Sequence, residues 1–470
     1  MPPADTESRE QFEPAPQGTH RLERMSGIVD DSVVINHDEA NSAITDAPPN
    51  LSDISAIVDG LAADLWPVNK MIHDNPELGF QEVIAHQTLT SFMRSKTGWK
   101  VFPSAYGMAT AWVAEFDTRR KGPVVSFNVE MAQSRGKGSD VWDACGRRLV
   151  TLLDCATDAS VNPAWDMLIA TKGGGGKIKL LEAGAYKDHQ VDISLMSHPV
   201  IVNDCALMRT AAYTAFTVEY FGREAHAAVN PWQGINALDA LITAYNALSV
   251  LRQQTMPGDV IQGNITNGGV RPNVIHAYTA GNFVVRADTQ ARLEELKKQV
   301  DACFQAGATA TGATLKMTPT QSYADHVPNR VLGDVYRRYF NMMSPPHLIP
   351  ENDDIGEIRG RVMASTDQGN ISYAMPSLHA GFSIPPGPGG NGPHNPEFAG
   401  AAGTKVAFER SLRVAKALTG VAVDVLTQNG LLEKVKNEWK RDIQQSSKIV
   451  PAAPHQHDVS LGMNNFGTFV

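Results

Sequence analysis

Cysteine is scarce in this chain. Its 470 residues hold four, Cys145, Cys155, Cys205 and Cys303, too few and too scattered for a disulfide scaffold or a zinc ribbon. Positive charge is short as well. Forty-one Lys and Arg stand against 50 Asp and Glu, a formal net charge of −9. The basic excess that a phosphate backbone demands is missing, which argues against nucleic acid as a partner. No run approaches the roughly 18 unbroken apolar residues of a membrane span. The opening Met-Pro-Pro-Ala-Asp-Thr lacks the charged-then-apolar pattern of a secretory signal. What remains is 42% hydrophobic and 19% charged. That supports a sizeable core and, at about 100–200 residues per domain, two to four domains. The expectation is a soluble, cytoplasmic α/β protein with neither nucleic acid nor membrane as partner.

Residues 1–50 are polar and Pro-rich with no sustained period, and read as a disordered lead-in. Residues 446–470 read as a flexible tail, with His455 and His457 in a solvated segment. Leu51 opens an amphipathic helix that Pro76 should stop. Thr110–Phe116, Pro123–Val129 and Val191–Met196 read as strands, and Arg148–Asp154 and Ile178–Ala185 as helical stretches. Strands alternating with helices predict a mixed or largely parallel sheet covered on both faces.

The stretch 209–325 reads as a separate unit. It has β-rich runs at Ala212–Phe221, Val260–Ile265 and Val274–Val285. Two helices show apolar faces, one of Leu238, Leu241, Ile242, Tyr245 and Leu248, the other of Leu293, Leu296, Val300 and Phe304. The order β-α-β-β-α-β is ferredoxin-like. A long helix around Lys405–Gln428 belongs to the last part. The predicted fold is α/β: a mixed-sheet catalytic-type domain in two parts, 51–208 and 326–445, with an inserted α+β, ferredoxin-like domain at 209–325.

Seven segments occur in a telling order: His73-Asp-Asn-Pro-Glu-Leu-Gly-Phe-Gln-Glu82, Gly173-Gly-Gly-Gly-Lys177, Ser197-His-Pro199, Gly222-Arg-Glu-Ala-His226, Thr266-Asn-Gly-Gly-Val270, Ser365-Thr-Asp-Gln-Gly-Asn370 and His394-Asn-Pro-Glu-Phe398. As an ordered set they resemble the di-zinc aminoacylase and carboxypeptidase family with a dimerisation domain, peptidase family M20. The nearest subgroup looks like the amidohydrolases of N-acyl amino acids and dipeptides. The resemblance spans roughly 51–440. It implies a homodimer paired through the inserted domain, and two zinc ions sharing a water that a Glu deprotonates.

That resemblance implies a degenerate metal site. Asp143-Ala-Cys-Gly-Arg-Arg148 matches the family's Cys-Gly-His segment: Cys145 is kept, Arg147 stands at the ligand His, and Asp143 at a second His. In Asn128-Val-Glu-Met-Ala132, Ala132 replaces a supporting carboxylate. The Glu-Glu pair becomes Thr171 and Lys172, so the general base is lost. His198 and His394 remain. Two cations beside a metal ion would each cost about 4 kcal/mol per unit charge at 4 Å and an effective dielectric of 20. The expectation is therefore that zinc is lost and no cofactor is held, or that a weak single zinc survives on the remnant ligands Cys145, His198 and His394.

The same substitutions suggest an anion pocket. Arg147, Lys172, His226 and Thr171 are the catalytic candidates. Glu130, Asp143, Asn273, Arg286, His198, His394 and Asp367 are the substrate-binding candidates. Arg147 offers a planar fork and Lys172 a compact charge; crowding by Arg147 would lower the basicity of Lys172. The plainer reading is that Lys172 pairs with Glu130 or Asp143 and patches the vacated site. His226 matches the family histidine that polarises the scissile carbonyl across the dimer. Asn370 and His379 line the pocket or serve as turn and core residues, and His73 reads as structural. Gly173–Lys177 imitates a phosphate loop, but its spacing fails and Ile178 stands where Ser or Thr is required.

Three functions stay open on this reading. The first is a repurposed, metal-independent enzyme catalysing a condensation, cyclisation or isomerisation on an amino-acid-derived small molecule. The second is a non-catalytic pseudo-hydrolase that binds a ligand or an active homologue. The third is a residual single-zinc amidohydrolase or dipeptidase.

Overall fold

The computed structural model describes residues 47–130, 165–169, 175–201, 203–350, 364–390, 392–393 and 395–446. The lead-in up to 46, the tail beyond 446 and the helical stretch at Arg148–Asp154 lie outside them. Helix α1 (Leu51–Asp74) buries Leu51, Ile54, Val58, Leu65 and Ile72 along one stripe and ends where Pro76 forbids more. Helix α2 (Val83–Arg94) starts on the Glu77 carboxylate, which accepts the Ile84 and Ala85 amides and so satisfies donors that a helix start leaves unpaired.

Strands β1 (Trp99–Pro103), β2 (Trp112–Phe116), β3 (Val125–Phe127) and β4 (Trp165–Ile169) follow, then short helices α3 (Gly176–Glu182) and α4 (Ala185–Asp188) and strand β5 (Ile193–Val200). Strands β1, β2 and β4 form an antiparallel sheet in that order. Strand β5 outruns the predicted end at Met196, because a later strand pairs with it as far as Val200.

The inserted domain comprises β6 (Ala212–Phe221), β7 (Ala225–His226), α5 (Ala237–Leu251), β8 (Val260–Asn267), β9 (Val274–Ile275), β10 (Tyr278–Ala287), α6 (Gln290–Thr311) and β11 (Thr314–Tyr323). Its sheet is antiparallel in the order β11-β6-β10-β8, the ferredoxin-like arrangement. Asn236 and Thr289 cap α5 and α6 by accepting the Leu238 and Arg292 amides. The two helices cover one face of the sheet over Phe216, Phe283, Leu293, Leu296, Val300 and Phe304, all buried. The run Val274–Val285, expected as one strand, is two. The His276 carbonyl accepts the Ala237 amide and the Ala277 carbonyl accepts the Gly222 amide, which frees β9 to pair with β7. The approach demands glycine: a Cβ on Gly222 would lie 2.0 Å from the Ile235 carbonyl oxygen.

The chain then forms α7 (Arg330–Asn341), a helix at Gln368–Ala374, strand β12 (Ser377–Ser383), and helices at Pro396–Ala402, Lys405–Thr427 and Leu431–Ser446. Strands β12, β5 and β3 make a parallel sheet in that order. The helix Lys405–Thr427, capped by Thr404, is buried along most of its length and shares one core with α1, α7 and the parallel sheet. At the crossing into the inserted domain, Thr210 Oγ1 accepts the His326 amide at 3.2 Å. Ser365 donates to the Ala211 carbonyl at 2.8 Å and accepts from Arg286 Nη1 at 2.9 Å. Among the described residues, no helix is long and apolar enough to cross a membrane.

Candidate active site

In parallel sheets, ligands gather beyond the carboxyl ends of the strands. Here β3 runs out into Asn128 and Glu130, and His198 lies near the end of β5. Both follow from register: Phe127 pairs with Leu195, and the Asn128 amide donates to the Leu195 carbonyl. Gly175, with φ +81°, turns the chain into α3, so that Lys177 enters the interior on its first turn. Lys177 is wholly buried, its Nζ 2.5 Å from Glu130 Oε1 and 2.6 Å from Asp367 Oδ1. Asp367 Oδ2 also accepts the Lys177 amide at 3.1 Å. Burial by itself would lower the pKa of this amine, but Asp367 and Glu130 together outweigh it and leave it raised. Lys177 is thus a permanent internal cation.

The second oxygen of Glu130 accepts from His198 Nε2 at 2.8 Å, and His198 Nδ1 lies 2.6 Å from His379 Nε2. His198 is 12% exposed and Glu130 2%. Behind His379 stands His326, ring centroids 5.4 Å apart and edge-on. His326 donates Nδ1–H to the Met208 carbonyl and accepts from Ser377 Oγ. Beside this column, Asn128 donates to Gln368 Oε1 and Ser194 Oγ and accepts from the Tyr186 hydroxyl. Burial, then the Asp367 charge, raises the pKa of Tyr186 and keeps it a donor.

Burial lowers the pKa of His326 to about 4, only partly offset by the Met208 carbonyl, with Arg209 lowering it further. The folded value lies below the unfolded value of about 6.5. The stability this group contributes is therefore complete above pH ~6.5 and is lost as pH falls from there toward 4, about 3 kcal/mol in all. Urea unfolding should show that decline between pH 7 and 4.5. His326→Asn should flatten it, and an equally steep decline in the variant would refute the assignment.

The predicted residues separate into groups. Glu130, His198 and Asp367 converge as described, and the Asp367 side chain, 5% exposed, pairs with Lys177. Lys172, the expected partner of Glu130 or Asp143, lies outside the described residues; among those described, Lys177 pairs with Glu130, where the Gly175 turn brings residue 177 inward. His226 and Asn273 meet on the β7–β9 ribbon, where the Ala227 amide donates to the Asn273 carbonyl at 3.0 Å. The exposed His226 ring accepts the Ala228 and Val229 amides at Nδ1, 3.2 and 3.3 Å away, so its proton resides on the outward Nε2. Half-buried Arg286 stacks on Tyr213 and bonds Ser365. Asn370 accepts the Ala324 amide, a turn role, and His73 bonds Asp74 and the Ala399 carbonyl. Cys145, Arg147, Asp143, Thr171, Lys172 and His394 lie outside the described residues.

Two participants escaped sequence reading, Lys177 as an ion-pair partner and His326. The available signal was Lys177 at the head of a short helix, three residues before the buried Leu180. Among the described residues no group of three or more His, Cys, Asp and Glu side chains could hold a metal ion, and Lys177 already occupies one oxygen of Glu130.

Comparison with known proteins agrees with this architecture. Residues 212–311 match the peptidase dimerisation domain of the M20 family. The chain is 34% identical to the Xaa-Arg dipeptidase of Mus musculus, covering 84% of this chain and 93% of that protein. It is 33% identical to the Xaa-Arg dipeptidase of Homo sapiens, over 83% and 92%. A dinuclear metal-binding M20 peptidase of Bacillus subtilis shares the fold at a TM-score of 0.57 and 15% identity, over 78% of this chain and 99% of that one. The two dipeptidases overturn the expectation of a metal-independent, non-hydrolytic enzyme, and they give a pseudo-hydrolase no support: the likeness runs through nearly the whole of proteins named for hydrolysis. The chain belongs to the M20 peptidase family and carries that family's dimerisation domain.

Proposed function

We propose that this protein hydrolyses the amide bond of dipeptides, with a C-terminal arginine as the first residue to test. The observation that carries this reading is its 34% identity to an Xaa-Arg dipeptidase across 84% of the chain. The dimerisation domain supports a homodimer, in which His226 of each inserted domain serves the other protomer's site. The His226 tautomer suits that task. Two backbone amides hold Nδ1, leaving Nε2–H to donate to a carbonyl oxygen as negative charge develops there. Glu130, His198 and their buried partners form the fixed floor against which the substrate is placed.

The test is arginine release from a panel of Xaa-Arg and other dipeptides by the purified full chain, with bound zinc measured before and after chelation. Cleavage is expected, and His226→Ala should lower kcat by roughly 10²-fold without changing the unfolding midpoint. A folded dimer that cleaves no panel member, with or without added zinc, would end the hydrolase reading.

A further inference from the structure

The inserted domain joins the rest of the chain through two crossings, one before Ala212 and one after Tyr323. Asp325 stands in the second and is 3% exposed. Its Oδ1 accepts the Gln290 amide at 2.7 Å and the Tyr373 hydroxyl at 2.8 Å. These two donors belong to different domains. Gln290 opens α6, the 22-residue helix of the inserted domain. A carboxylate there takes up an amide that a helix start leaves unpaired, and it lies at the favourable end of the helix dipole. Tyr373 sits on the helix Gln368–Ala374 of the catalytic-type domain. That helix is itself anchored. Gln368 bonds Asn128 and Ser194, Ser372 Oγ accepts the Val327 amide, and the Ser372 carbonyl accepts Trp439 Nε1–H. On the same helix, Asn370 Oδ1 accepts the Ala324 amide and holds the crossing itself. One buried oxygen therefore ties the first turn of α6 to a fixed element of the other domain. Rotation of the inserted domain about its crossings must stretch one of the two bonds to that oxygen.

We propose that Asp325 and Tyr373 are positioning residues: they set the angle of the inserted domain, and with it the place at which His226 is presented to the other protomer's site. The brace stands on its geometry; its kinetic consequence rests on the dipeptidase reading.

Two variants separate positioning from packing. Tyr373→Phe keeps the ring and loses the hydroxyl that spans the domains. Asp325→Asn keeps an acceptor oxygen for both donors and is the conservative control. With a cleaved dipeptide, Tyr373→Phe should lose roughly 10-fold in kcat, with KM and Tm close to wild type, and Asp325→Asn should retain most of the activity. Wild-type kcat in Tyr373→Phe, or a loss that follows a lowered Tm, would overturn the proposal. The brace is also read without any substrate, by pulsed electron resonance distances between spin-labelled noncanonical residues replacing Lys298 and Arg441. Both positions are exposed, one in each domain, and labelled chains are diluted into unlabelled dimers. One narrow distance is expected in wild type and Asp325→Asn, and a shifted or broadened distribution in Tyr373→Phe. If the wild-type chain cleaves no dipeptide, the dipeptidase reading fails separately and these distances decide. An unchanged distribution in Tyr373→Phe overturns the brace whatever the kinetics show.

Discussion

Lys177→Met is expected to destabilise the fold by about 3–5 kcal/mol, the usual cost of removing one partner from a buried ion pair. Methionine restores most of the apolar stem, so packing loss is the smaller effect. The larger one is electrostatic: Glu130 and Asp367 are 2% and 5% exposed at the side chain and would lose the buried cation they share. The triple variant Lys177→Met, Glu130→Gln, Asp367→Asn removes charge of both signs together and should lie closer to wild type than the single variant, because neutral replacement of a whole buried pair is often tolerated. Urea unfolding at constant m-value measures both. A single variant within 1 kcal/mol of wild type would mean that water reaches these carboxylates.

The second large effect is expected in the inserted domain, where Phe304→Ala should cost about 3–5 kcal/mol. Phe304 is wholly buried, and its ring meets Phe283 at 4.7 Å and Phe216 at 5.9 Å, edge-on to both, a geometry that adds to simple area burial. Its carbonyl also accepts the buried Tyr220 hydroxyl at 2.6 Å, a bond the substitution leaves in place. Phe304→Leu keeps more of the volume and should lose less. Amide hydrogen exchange should then show protection falling across α5, α6 and β6, and unaltered protection there would contradict a cooperative inserted core.

The inserted domain was the most legible part of the sequence. Strand β6 was read at Ala212–Phe221, where it lies, since an antiparallel sheet covered on one face writes its alternation into the residues. Helices α5 and α6 were read from their apolar faces for the same reason. The Val274–Val285 run was misread as one strand because residues elsewhere, Gly222 and Ala237, claim the carbonyls at 276 and 277. The site was less legible still. Lys177 finds Glu130 47 residues upstream and Asp367 190 residues downstream, and nothing local to the glycine run announces either. The His198–His379 contact depends on the register of β12 against β5, in which His379 stands opposite Met196. Glu130 and His198 could be picked out by resemblance, yet the buried cation and the histidine column that hold them could not.

The contact between Thr210 and His326 at the base of the inserted domain bears on how the parallel sheet closes. His198 and His379 are 181 residues apart along the chain, whereas Thr210 and His326, 116 apart, are already hydrogen-bonded neighbours once the insert has formed. With the insert folded, the loop that must close to bring β12 onto β5 shrinks to roughly 65 residues, which lowers its closure entropy cost by about 0.9 kcal/mol. The inserted domain thereby acts as an entropic splice, making two distant halves of one sheet nearer neighbours in the unfinished chain than their numbering suggests.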